Sequence, residues 1–224
     1  MSVEARQGAK SAEDLQVIVR IDGDDVTRTD GNGGPDPWHV LVPVNRFVAT
    51  GEATTATIAC CPSCGPDCVA IEARIRREGD AVRWECGRRG AAWEGRRRTV
   101  LFDAAAYDAE VARVDADRGW ETPVRRAGRL ILAGLALPHG IEGLRVRADR
   151  SGTLEVTLAE EPDEYEIFVS MPWDERRPDE SAAEARAVLA GPVARWPAKW
   201  HSIKGWRDEP PPYAGPSWRP VSDP

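Results

Sequence analysis

Residues 60–86 read CCPSCGPDCVAIEARIRREGDAVRWEC, and this stretch decides more of the fold than any other. Its second half alternates between apolar and charged side chains, as a half-buried strand does. The apolar set is Val69, Ile71, Ala73 and Ile75. After the turn sequence E-G-D the alternation returns with Val82 and Trp84, so the stretch predicts a β-hairpin.

All five cysteines of the 224-residue chain lie in this stretch. Cys61 and Cys64 are separated by two residues and followed by glycine, a spacing with which a tight turn brings two thiolates to one Zn²⁺. The two ends of a hairpin lie side by side, which favours a further pair of ligands. We therefore predict a four-thiolate zinc site. Its ligands are Cys61, Cys64, Cys68 and Cys86, with Cys60 left over.

Other uses of the cysteines stay open. A disulfide, buried structural thiols and a redox or catalytic thiol each fit the count. Residues 1–14 lack the apolar core of a secretory signal, so we expect a cytoplasmic protein with reduced thiols, which argues against a structural disulfide. A redox C-x-x-C pair favours a strand followed by a helix, whereas a strand follows here.

The cysteine turn resembles half of a zinc ribbon, a family in which two C-P-x-C-G turns hold one metal. The resemblance implies a structural zinc, although Arg83 and Arg89 stand where the second turn would place its other cysteine. The hairpin, with the form R-x-x-G-D-x-V-x-W after a Cys/Gly cluster, also resembles uncharacterised proteins of actinobacteria. That second resemblance implies a bacterial source and no particular activity.

Composition narrows the class of protein. Hydrophobic residues make up 42% of the chain, which supports a globular core. The formal net charge is −7, so nucleic acid is not an expected partner of the whole chain. The longest apolar run, residues 130–138, is too short to span a bilayer, and we expect no membrane association.

Charge is divided unevenly along the chain. Residues 72–98 carry nine arginines against five acidic residues, whereas residues 149–184 carry three arginines against twelve. The two segments either attract each other within the molecule or meet partners of opposite sign. For the second case we predict a protein partner with a basic surface, bound by acidic residues and by the tail tryptophans. These residues are Glu160, Glu161, Asp163, Glu164, Trp196, Trp200 and Trp206.

The hydrophobic periodicity, together with the residues typical of turns and helix ends, predicts an α+β protein with antiparallel sheets. Residues 1–14 are expected to be disordered, and 15–190 to form one composite domain. That domain has a β-rich part at 15–102, a central helical pair at 103–138, and a β-meander with a helix at 143–190. Within the β-rich part, Trp38–Thr50 is predicted to be extended.

Residues 191–224 form a predicted extended tail rich in proline and tryptophan. The tail holds eight of the eighteen prolines and four of the nine tryptophans. Prolines discourage regular structure, and tryptophans are costly to leave in water. The tail therefore either docks on its own domain or anchors a partner.

Catalytic motifs are missing from the sequence. It contains no glycine-rich phosphate loop, no dinucleotide fingerprint, no G-x-S-x-G and no H-E-x-x-H. We therefore expect a non-enzymatic binding or regulatory protein, of the kind in which an immunity protein neutralises a toxin through an acidic face. The alternatives are a metal- or thiol-dependent enzyme and, more weakly, nucleic-acid contact through the arginine- and tryptophan-containing segment 88–98.

Overall fold

A computed structural model describes residues 1–7, 15–28, 31–63, 65–89, 98–149, 151–160, 164–203 and 209–221, with the backbone alone for 66–68. The described residues form four helices and three β-sheets, and the chain divides into two compact units, Met1–Trp120 and Glu121–Pro224. The α+β class and its antiparallel sheets are as the sequence predicts. That residues 15–190 fold as one composite domain stays a prediction.

The first unit contains two antiparallel sheets and two helices. Sheet one comprises β1 (Ser2–Gln7), β2 (Leu15–Ile21) and β3 (Asp24–Asp25). Sheet two comprises, in spatial order, β4 (Thr54–Cys61), β5 (Gly65–Glu78), β6 (Ala81–Arg88) and β7 (Arg98–Asp103). The helices are α1 (Pro37–Val40) and α2 (Ala104–Ala116). The predicted hairpin is β5–β6, and it is confirmed.

The apolar faces of sheets one and two and of α2 share one core. Its centre is Trp84 on β6, which is fully buried. The Trp84 ring stacks on Phe47 with centroids 5.8 Å apart, and it meets Phe102 and Tyr107 edge-on at 5.4 and 6.0 Å. Such offset and edge-on aromatic contacts stabilise a core beyond the area they bury.

The N-terminus differs from the expected disorder, because Ser2–Gln7 pairs with β2 as strand β1. Val3 is buried, and α2 holds its backbone at both polar groups. The Val3 N–H donates to Glu110 Oε1 at 2.6 Å, and the Val3 carbonyl accepts from Arg113. These partners lie more than a hundred residues along the chain, so local composition does not reveal them.

The prediction of an extended segment at Trp38–Thr50 is wrong. Residues 37–40 form α1, and turns follow, with a cis peptide bond between Val42 and Pro43. The Asp36 side chain accepts from the Trp38 N–H at 2.9 Å, and Pro37 occupies the first helical position. An aspartate followed by proline is a helix-start signal, and here it outweighs the apolar alternation.

The second unit is one five-stranded sheet with helices. The helices are α3 (Pro123–Leu132), α4 (Pro178–Leu189) and a 3-10 turn (Val193–Arg195). The strands are β8 (Ile141–Ala148), β9 (Thr153–Glu160), β10 (Tyr165–Pro172), β11 (Ala198–Ser202) and β12 (Arg219–Pro220). Their order is β12-β11-β10-β9-β8, antiparallel except for β11–β12. The predicted meander β8–β9–β10 is therefore present.

The two predicted central helices are present in different units. Helix α2 packs on β1, β6 and β7 in the first unit, whereas α3 packs on α4 and β8 in the second. Both begin as the sequence suggests, with the side chains of Asp103 and Thr122 accepting a backbone N–H.

The proline-rich tail contributes to the second unit's sheet. Its strand β11 pairs with β10, and Trp196, Trp200 and Trp218 are buried. The Trp196 and Trp218 rings stack with centroids 6.4 Å apart. Of the two alternatives left open by the sequence, docking of the tail on its own unit is the one that these described residues adopt.

Candidate functional site

The cysteine turn connects β4 to β5. Cys61 and Gly65 are paired residues of the two strands, and Gly65 has a φ of +67°, which a residue with a side chain rarely adopts. The Ser63 N–H donates to Cys61 Sγ at 3.4 Å. An N–H···S bond inside a tight turn orients the sulfur and stabilises a thiolate. Cys64 and the side chain of Cys68 lie outside the described residues.

The fourth predicted ligand, Cys86, is not beside Cys68. The β5–β6 register pairs Cys86 with Ala73. A strand rises roughly 3.3 Å per residue, so the backbone of Cys68 lies about 16 Å along the sheet from the level of Cys86. Two thiolates that share a zinc each lie about 2.3 Å from it, which such a separation does not allow. The four-thiolate site stays a prediction, and this register gives no support to Cys86 as a ligand.

Cys86 faces the core side of sheet two. It is 9% exposed, and burial raises the pKa of its thiol to about 11, although Arg98 opposite it on β7 acts to lower that pKa. The thiol is therefore protonated at neutral pH. Because the thiolate is the nucleophilic form, Cys86 is a poor nucleophile as it stands.

A cleft of about 580 Å³ opens on the same face of sheet two. At the level of Cys86 the inward positions of sheet two carry small, buried side chains, Ala56, Ala73 and Cys86 itself. The described lining consists of Ile21, Val26, Asn32, Ile58, Val69, Ile71, Cys86, Gly87, Arg88 and Arg98.

Two arginines line this largely apolar cleft. Arg88 lies opposite Ile71, and Arg98 lies opposite Cys86, so both belong to the inward-facing rows of β6 and β7. Residues diagonal to each other on neighbouring strands lie roughly 7–8 Å apart, a distance that two guanidinium groups bridge around one anion. Neither arginine has an ion pair within the described residues. The cleft therefore offers an apolar wall and two positively charged side chains.

Arg88 and Arg98 belong to segment 88–98, for which nucleic acid is the weaker predicted partner. The described residues of that segment lie on opposite faces of sheet two. Arg88 and Arg98 border the cleft, whereas Arg89 forms an ion pair with Glu72, Nε to Oε1 at 2.6 Å. Residues 90–97 lie outside the described chain. Continuing the period of two from Val82 through Trp84 to position 88 would have identified Arg88 as an inward residue.

The predicted partner-binding residues lie in the second unit and are not a single exposed patch. Glu160 ends β9 and Glu164 precedes β10, each half-buried, while Glu161, Asp163 and Trp206 lie outside the described residues. Trp196 and Trp200 are 1% and 6% exposed. A partner would have to open the sheet to reach these two rings, so their burial does not favour the prediction. An acidic surface for a basic partner stays a prediction from charge alone.

The described part of the chain bears on both metal binding and membrane association. There, no three His, Cys, Asp or Glu side chains are grouped as a metal site would require. None of the helices in that part is both long and apolar enough to cross a membrane. No protein-family model, no curated protein and no solved structure matches the chain. The resemblance to actinobacterial proteins therefore stays a prediction.

Proposed function

We propose that the chain is a non-enzymatic binding protein whose first unit takes an amphipathic anion in the cleft beside Cys86. The observation that carries the proposal is the pairing of an apolar floor, Ile58 and Ile71, with Arg88 and Arg98 in one cleft. Its volume of about 580 Å³ lies within the range of small-molecule sites, which are mostly apolar with a few placed polar groups.

The ligand class follows from the lining. An apolar body would pack on Ile58, Ile71 and Val26, and a carboxylate, sulfonate or phosphate group would meet the guanidinium groups. Arginine suits this contact, because its planar fork binds oxyanions through two parallel hydrogen bonds. The protonated Cys86 thiol supports binding over thiol chemistry, since it supplies a weakly polar surface and no nucleophile.

The test uses 8-anilinonaphthalene-1-sulfonate, an apolar ring system with one anionic group, whose fluorescence rises when bound. We expect saturable binding by the full chain. Arg98→Gln removes a charged hydrogen-bond donor worth about 1.5–3 kcal/mol, so binding should weaken roughly tenfold or more. Val69→Trp fills the cleft and should block the probe. The matched control is Arg147→Gln, which removes the same charge from strand β8 and belongs to neither the cleft nor its lining.

Near-UV circular dichroism of each variant verifies folding before titration. Equal binding by wild type, Arg98→Gln and Val69→Trp would place the probe elsewhere and reject the cleft as the site. An uncharged probe, 1-aminonaphthalene, distinguishes binding by the apolar wall from binding by the arginines. It should bind wild type more weakly than the sulfonate does, and it should be insensitive to Arg98→Gln.

A structural zinc at the cysteine turn is a second candidate, favoured by the Ser63 N–H to Cys61 Sγ bond and by the left-handed Gly65. Such a site would add stability to a turn rather than chemistry. The test is metal content by mass spectrometry with thiol titration before and after chelation. Loss of zinc in Cys61→Ser but not in Cys86→Ser would agree with the register. A cytoplasmic location is part of this proposal, because zinc thiolates persist where thiols stay reduced.

A further inference from the structure

The outer face of sheet two, on the side away from the cleft, carries a second and smaller cavity of about 300 Å³. It lies on the face where the alternation of β5 and β6 places charged side chains instead of core residues. Besides Ala53, its lining consists of Arg74, Arg76 and Glu78 from β5, and Arg83 and Glu85 from β6.

Two like charges face each other at this cavity. The β5–β6 register places Arg76 directly opposite Arg83. Like charges in directly opposed positions destabilise a sheet, so this pair does not help the fold by itself. In the next row Arg74 lies opposite Glu85, yet Glu85 Oε1 forms its ion pair with Arg83 Nη2, at 3.1 Å. Arg74 has no ion pair within the described residues.

The guanidinium groups also keep unused hydrogen-bond donors. Each has five N–H donors. Arg76 Nε donates to the Gly51 carbonyl at 3.1 Å, and Arg83 Nη2 contacts Glu85. Arg83 Nε is buried, and no described residue hydrogen-bonds to it. A buried donor without an acceptor costs free energy, which an acceptor supplied by a ligand would recover.

We propose that Arg74, Arg76 and Arg83 form a binding site for a small oxyanion, a phosphate monoester or a carboxylate. The charges set the ligand: three guanidinium groups against Glu78 and Glu85 leave one net positive charge, which suits an anion of low charge. Such an anion placed between Arg76 and Arg83 removes their repulsion and accepts from Arg83 Nε. The site shares no residue with the cleft, so it does not depend on the proposed function.

The experiment follows the Nε–Hε signals of the arginine side chains by NMR on the full ¹⁵N-labelled chain. Inorganic phosphate and acetate are titrated separately to about 10 mM at constant ionic strength, below the concentrations at which phosphate stabilises proteins in general. We expect saturable shifts of Arg76 and Arg83. Arg147, on β8 with an ion pair to Glu155, is the reference signal and should not move.

The two titrations distinguish the sources of the oxyanion. Saturation with phosphate but not acetate identifies a phosphate-bearing ligand, and the reverse identifies a carboxylate. Arg76→Gln should abolish the shift of Arg83 and leave the unliganded protein at least as stable as wild type, because it removes the opposed charge. Arg147→Gln is the matched control and should keep the shifts.

The proposal is overturned if neither anion gives saturable shifts, if Arg147 shifts as much as Arg83, or if Arg76→Gln leaves the Arg83 response intact. The sulfonate probe of the cleft, titrated into the same sample, gives an independent reading. If the anion titrations give no saturable shifts while the probe binds normally, only the outer site is rejected. If the probe does not bind while phosphate gives the expected shifts, only the cleft is rejected.

Discussion

Removing the hydroxyl of Tyr107 should destabilise the first unit far more than its size suggests. This hydroxyl links two buried polar groups. It accepts from Trp84 Nε1 at 3.1 Å and donates to the Phe47 carbonyl at 2.6 Å. Tyr107 and Trp84 are 2% and 0% exposed, so water does not replace the lost partner. Burial also raises the pKa of Tyr107, which keeps the phenol protonated as a donor.

The magnitude follows from the two groups that Tyr107→Phe leaves without a partner. Each buried donor or acceptor that loses its partner costs about 1–3 kcal/mol, so the free energy of unfolding should fall by about 3 kcal/mol. The substitution keeps the aromatic ring, and little apolar contact is lost. In a Trp84→Phe background the indole N–H is already absent, so the same substitution should cost about 1–2 kcal/mol less.

Hydrogen exchange read by mass spectrometry resolves the effect along the chain. Amides of β6 that exchange through opening of the unit should exchange roughly a hundredfold faster in Tyr107→Phe, since 1.36 kcal/mol corresponds to a factor of ten. Strands β9 and β10 of the second unit are the internal reference. Acceleration of β6 below about fivefold, or equal acceleration of β9, would refute the reasoning.

Three further predictions concern single residues. Burial raises the pKa of the Cys86 thiol to about 11, so Cys86 should resist thiol reagents at neutral pH. Above about pH 9 the thiol ionises only in the unfolded chain, so the free energy of unfolding should fall as the pH rises further. Urea unfolding combined with thiol titration tests both expectations. Gly34→Ala should lower the melting temperature, because a Cβ there would lie 2.2 Å from the Val17 carbonyl oxygen, and backbone must shift. The Glu110 pKa is lowered, chiefly by its hydrogen bond with Arg113, so the bond from the Val3 N–H to the Glu110 carboxylate should persist above the ordinary glutamate pKa range and weaken as the pH falls below that range. At neutral pH, Glu110→Gln should increase hydrogen exchange at the Val3 amide as low pH does in the wild type.

The predictable parts of the candidate site are those fixed by local chemistry. The β5–β6 hairpin follows from alternation and a two-residue turn, since Glu78 pairs with Ala81. That turn also fixes the register, which places Ala73 rather than Cys68 opposite Cys86. Counting from the turn would have shown, without a structure, that Cys86 does not lie opposite Cys68. The inward position of Arg88 was available from the same alternation.

Other features depend on residues distant in sequence. Strand β1 is ordered because α2 binds the backbone of Val3, a contact between positions 3 and 110. The tail tryptophans are buried because β11 extends a sheet formed by β10 and β9. In the sequence these two segments look polar and proline-rich, respectively, and neither property specifies a binding partner on another element.

The sequence by itself determined the α+β class, most strand positions, the helix starts at Asp103 and Thr122, and the cysteine turn, because each depends on neighbours within a few residues. Only the tertiary structure decided which surfaces face one another. The cleft lies between Ile21, at the end of β2, and residues of sheet two, and Arg88 and Arg98 border it. The opposition of Arg76 and Arg83 likewise arises from strand register. Spacing along a chain fixes local conformation, whereas a binding site is defined by distances between separate elements.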